Sequence, residues 1–70
     1  MIEFRCLVTD DYREPIEAVA SELAARVRYF RGHMNVLYIM RAGEFLGYVW
    51  VSGKDVKSLR KAVLEVLNAN

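Results

Sequence analysis

The chain is poor in the residues that staple or catalyse: one cysteine, one proline and one histidine in 70 residues. A lone thiol, Cys6, excludes an internal disulfide and a thiolate metal cluster. It falls on the alternating buried set of the first strand, where cysteine acts as a small hydrophobe. His33, the sole histidine, sits at a loop-to-strand junction and suits a surface or capping role better than that of a general base. Asp10-Asp11 has no further ligand type at useful spacing, so no metal site is expected and helix capping accounts for the pair. No catalytic set emerges, and the chain reads as a non-enzyme without a cofactor. No run approaches the ~20 apolar residues of a membrane span. No basic segment leads into an apolar run near the start, so no secretory leader is expected, and a reducing, cytoplasmic setting fits best.

What is present is a hydrophobic chain, 54% apolar and 27% charged, of globular rather than disordered composition. At this length a single core is marginal, and without disulfide or metal the remaining remedy is oligomerisation. There is no linker, repeat or low-complexity segment, so residues 1–70 form one domain.

Ile2, Phe4, Cys6 and Val8 alternate with polar residues, Leu7 excepted, which predicts a half-buried strand. Pro15 suits the first turn of a helix. Ile16, Val19, Ala20, Leu23 and Val27 recur at helical spacing, with an expected end near Arg28 to Gly32. Strands at Asn35–Met40 and Glu44–Val51, joined through Arg41-Ala42-Gly43, read as a hairpin. A second helix runs from about Lys54 to Leu67. The expected fold is α+β, in the order βαββα: a three-stranded antiparallel sheet with both helices packed on one face.

The hairpin is apolar on both sides. Leu37, Ile39, Phe45, Val49 and Val51 are assigned to the face under the helices, which leaves Val36, Tyr38, Met40, Leu46, Tyr48 and Trp50 on the other. An open face carrying Tyr38, Met40, Tyr48 and Trp50 marks an interface. A homodimer packed sheet on sheet would bury it; stacking of single-stranded bases is the competing use.

Charge is asymmetric. Residues 1–25 hold two arginines against six carboxylates, whereas residues 26–61 hold eight lysines and arginines against two carboxylates. Arg26, Arg28 and Arg31 surround Tyr29 and Phe30 at the expected end of the first helix, where the helix dipole favours cations. Lys54, Lys57, Arg60 and Lys61 crowd the start of the second, where positive charge costs ~0.3–1 kcal/mol per group. A sequence carrying that cost is expected to use it on a polyanion or an acidic partner. Arg28, Arg31, Lys54, Lys57, Arg60 and Lys61 are therefore the candidate nucleic-acid contacts.

Gly53-Lys54 between a strand and a helix imitates a phosphate-binding loop. The pattern requires glycine at position 48, which is Tyr48, and a hydroxyl after the lysine, which is Asp55. Nucleotide binding is therefore not expected here. The Gly-x-x-Gly loop of another small RNA-binding module is also missing, because "GEFLG" has three intervening residues.

The hairpin, the short link with Asp55 and the Leu59-Arg60 pair opening an apolar helix resemble the small dimerising subunit of the KEOPS tRNA threonylcarbamoyl-adenosine complex. Gly43, Leu46, Ala62 and Leu67 complete the match. Gly53 departs from the family's usual small residue, often alanine, and Leu64 from its frequent asparagine. The resemblance implies a non-catalytic homodimeric scaffold that packs on an ATPase-fold catalytic subunit and contributes to tRNA binding. Two other readings remain: a free-standing RNA-binding domain, and an oligomer that stacks a flat cofactor on Trp50.

Overall fold

The computed structural model describes residues 1–70. Strand β1 (Ile2–Leu7) leads through a short 3-10 turn at Asp10–Tyr12 into helix α1 (Arg13–Leu23), with Pro15 in its first turn. Ile16, Val19 and Ala20 form the buried stripe of α1. The helix ends at Ala24, whose φ of 54° lies in the left-handed region. The N–H groups of Ala24 and Ala25 turn back to the carbonyls of Ser21 and Ala20, at 3.4 and 2.9 Å, and so satisfy the helix end.

The chain then forms β2 (Arg26–Tyr29), a strand parallel to β1. Strands β3 (Val36–Arg41) and β4 (Glu44–Trp50) make the expected hairpin, closed by Ala42 and Gly43 at φ 51° and 80°. Helix α2 spans Val56–Asn68. Asp55 caps it: its carboxylate accepts the Ser58 N–H at 2.9 Å, while Ser58 Oγ accepts the Asp55 N–H at 3.1 Å.

The fold is α+β with two helices, but the sheet has four strands in the order β2-β1-β3-β4 and is mixed. The expected three-stranded antiparallel sheet is therefore corrected. Arg26-Val27-Arg28-Tyr29, assigned to the end of the first helix, is the fourth strand. The physical reason is the free edge of β1. Its backbone groups need partners, and the crossover through α1 returns the chain beside it, pairing Phe4 with Val27 and Cys6 with Tyr29. Val27 continues the helical stripe in sequence but also starts a period-two alternation, and the backbone pairing decides between them.

Strand β4 also departs from the expected alternation. Met40 pairs with Phe45 while Ile39 pairs with Gly47, so Leu46 is the extra residue of a bulge. The bulge exchanges the faces assigned to these two side chains: Phe45 stands in solvent at 54% exposure, and Leu46 packs against the core.

The core lies between the helices and one side of the sheet. Phe4, Cys6, Leu37, Ile39, Val49 and Val51 meet Ile16, Val19, Leu59 and Val63, all buried. Asn35 knits one end of the sheet: its side-chain oxygen accepts the Thr9 N–H at 3.1 Å and its carbonyl accepts the Val51 N–H at 2.8 Å. It does so at φ 53°, a conformation asparagine tolerates better than most residues.

Where α2 crosses β4, a methyl on Gly47 would come within 2.8 Å of Val66 Cγ1. Gly47→Ala is expected to cost ~1–3 kcal/mol by overpacking. Adding Val66→Ala should recover part of that loss relative to Val66→Ala alone. Urea unfolding of the four chains checks this; no recovery would mean that the glycine serves the backbone of the bulge rather than the helix contact.

Candidate nucleic-acid interface

Side chains alternate across a strand, so the pairing that sends Phe4, Cys6, Leu37 and Ile39 under the helices sends their neighbours to the opposite, uncovered face. In register across the sheet, Arg5 lies between Arg28 and Tyr38, and Glu3 between Arg26 and Met40. Tyr38 faces Tyr48 and Val36 faces Trp50 on β4. The expected interface residues Tyr38, Met40, Tyr48 and Trp50 are thus brought together, with Phe45 added by the bulge. Tyr48 and Trp50 are each 51% exposed, and Phe30, just beyond β2, is 42% exposed. Val36 is buried on this side, outside the helix-side core.

The aromatic rings are arranged in two contacts. Tyr48 and Trp50 stand edge to face, with centroids 5.7 Å apart at 84°. Tyr38 and Phe45 are 6.1 Å apart and tilted at 56°. The β1–β2 half of the same face is cationic. Glu3 is the one acid there, and it holds Arg5 at 2.6 Å. Arg28 lies over the Phe30 ring at 5.2 Å, and neither Arg26 nor Arg28 has a carboxylate partner. These two arginines are not helix-end cations, since no helix is there; they are strand residues held on an open face.

The remaining candidate cations go elsewhere. Lys57 and Lys61 are exposed on α2, in the layer on the far side of the sheet, with Lys54 just before it. Arg60 is occupied: its guanidinium grips the Glu22 carboxylate through two bonds of 2.5 and 2.7 Å, tying α2 to α1. Arg31 falls in the loop after β2, at a shallow cleft shared with Arg13, His33 and Asp10. There Arg13 is already engaged, paired with Asp10 at 3.1 Å and lying 4.1 Å over the Tyr29 ring. The structure therefore separates Arg28 from the lysines of α2, which lie on opposite sides of the sheet.

Arg5, Arg26, Phe30 and Phe45 complete the face and were not among the candidates. For the first three the signal was the period-two alternation of residues 26–29 and of β1; for Phe45 nothing in the sequence announces a bulge. Cys6 is fully buried, and burial, helped by the nearby Glu17 carboxylate, pushes its thiol up to about 12, so it is not a thiolate at neutral pH. No three His, Cys, Asp or Glu side chains gather as a metal-ligand set, and no helix is long and apolar enough to cross a membrane. Compared with family models, curated proteins and solved structures, the chain matches none.

The Arg60 hydrogen bonds hold the Glu22 carboxyl below its ordinary value of 4.5, and the Ser58 N–H holds Asp55 below 3.8. A depressed folded value stabilises above the ordinary value and is lost as pH falls through the folded one. Glu22→Gln is therefore expected to melt below the wild type at neutral pH, with the gap closing as pH drops below 4.5. Thermal melts across that range check it; a gap independent of pH would show that the pair contributes no charge-dependent stability.

Proposed function

We propose that this protein is a non-catalytic RNA-binding module whose open sheet face, not its basic helix, is the contact surface. The observation that carries this reading is the placement of Arg26 and Arg28, free of carboxylates, on the same face as Tyr38, Tyr48 and Trp50. Cationic side chains attract the phosphate backbone, and exposed aromatic rings give bases a surface on which to stack.

The residues behind the KEOPS resemblance have uses inside the domain. Asp55 caps α2, Leu59 is buried, and Arg60 clamps Glu22. The tRNA-modification scaffold thus remains a setting in which the RNA would be a tRNA, while an ATPase-fold partner has no surface feature of its own to support it. A second copy is the other occupant that an apolar face admits. Packing sheet on sheet would take the Arg26 and Arg28 guanidinium groups from water, with Glu3 already committed to Arg5, and an unpaired buried charge is costly.

Fluorescence anisotropy with labelled tRNA and with unstructured RNA, at several salt concentrations, tests the reading. Affinity should fall steeply with salt, and Arg26→Ala with Arg28→Ala should flatten the log–log slope by about 0.7 per lost phosphate contact. Lys57→Ala with Lys61→Ala should leave the slope close to that of the wild type. The reverse pattern would move the interface to α2, and absence of binding to either RNA would remove the proposal.

A further inference from the structure

Building on that reading, we infer that the ligand is an unpaired strand, laid with its bases on Tyr38, Tyr48 and Trp50 and its phosphates along Arg26 and Arg28. The open face is divided rather than mixed. Most of its aromatic side chains stand on β3 and β4 and its arginines on β1 and β2, with Phe30, under Arg28, the one ring at the cationic edge.

The exposure of the rings decides between a single strand and a duplex. In a duplex, bases follow one another every ~3.4 Å along each strand and turn their faces toward each other, not toward a protein. Tyr48 and Trp50 have centroids 5.7 Å apart, and Tyr38 and Phe45 6.1 Å. Those are ordinary aromatic contact distances; what selects an unpaired strand is that the exposed rings of Tyr48 and Trp50 need base faces, which a duplex keeps inside its stack. The edge-to-face pair of Tyr48 and Trp50 forms a corner in which one base can lie flat on one ring and turn its own edge toward the face of the other.

Width agrees with this. Adjacent strands are ~4.8 Å apart, so the arginines of β2 lie about 10 Å across the sheet from the tyrosine of β3 and nearer still when their side chains extend. A single nucleotide, base to phosphate, spans such a gap; a duplex would present two backbones and leave the aromatic half without a partner. Charge complementarity fits the same placement, because the cationic half lacks a free carboxylate and the aromatic half carries no charge among its six alternating residues, Val36, Tyr38, Met40, Phe45, Tyr48 and Trp50.

On the aromatic half few groups can read base edges, namely the hydroxyls of Tyr38 and Tyr48 and the indole N–H of Trp50. Stacking tolerates every base, so the expected ligand class is single-stranded nucleic acid of weak sequence preference.

The test is competition between a fluorescent oligouridylate of about ten nucleotides and two unlabelled rivals, the same oligomer and a blunt RNA duplex of equal length. The oligouridylate should compete well and the duplex poorly. Tyr48→Leu with Trp50→Leu should weaken binding by between about 5-fold and about 150-fold per lost stack while leaving the salt slope unchanged. Arg26→Gln with Arg28→Gln should instead lower the slope, and it provides a second reading if the aromatic variant fails to fold by circular dichroism. Equal competition by the duplex, or an aromatic variant that folds and binds like wild type, would overturn the single-strand placement and leave RNA binding standing. If no nucleic acid binds and sedimentation equilibrium shows a dimer dispersed by Trp50→Leu, both readings fall and a second copy occupies the face.

Discussion

Everything in this domain depends on β1 being hydrogen-bonded on both sides. Its parallel pairing with β2 and antiparallel pairing with β3 make it an interior strand, and the pleat then allots each of its side chains to one of two faces. Phe4 and Cys6 pass to the helices and become fully buried. Glu3, Arg5 and Leu7 pass to the other side and define the middle of the open face. Without β2, β1 would be an edge strand, and Arg26 and Arg28 would have no place on the sheet.

The helix layer covers one face only, because α1 and α2 both place their buried stripes on the same side. With no disulfide and no cluster of metal-ligating side chains, the two helices are held by that core and by the Arg60–Glu22 clamp. No element among residues 1–70 covers the second face. A half-exposed Trp50 beside a half-exposed Tyr48 is therefore a consequence of having two helices and four strands.

The stretch around Gly53 shows how a motif can serve the scaffold instead of a ligand. Gly53 takes φ 73° to turn from β4 into α2, and its N–H meets the Tyr12 hydroxyl at 3.3 Å. Asp55 puts a carboxylate at the helix N-terminus, where the dipole favours it, and Glu22 answers Arg60 from the neighbouring helix. The cost of crowding Lys54, Lys57, Arg60 and Lys61 near one helix start is thus offset in part within the domain. Arg60 is accounted for in this way, whereas Lys54, Lys57 and Lys61, like Arg26 and Arg28, make no ion pair within the domain.

Sequence by itself determined the first strand, the hairpin, the stripe of α2, that of α1 as far as Leu23, and the apolar character of the hairpin's open side, because each is a local periodicity of two or 3.6 residues. It also contained Tyr38, Met40, Tyr48 and Trp50 as one set, since they alternate along two adjacent strands. Tertiary structure alone decided the rest. Residues 26–29 satisfy a helical stripe and a strand alternation equally well until the free edge of β1 draws them into the sheet. The bulge at Leu46 depends on how β4 registers against β3, and it exchanges two side chains that counting would place the other way round. Arg60 looked free because Glu22, its partner, lies 38 residues earlier, and no local pattern reports a contact across that separation. Local spacing allots a residue to a face; only the pairing of distant backbone and charge decides which face that is and what meets it there.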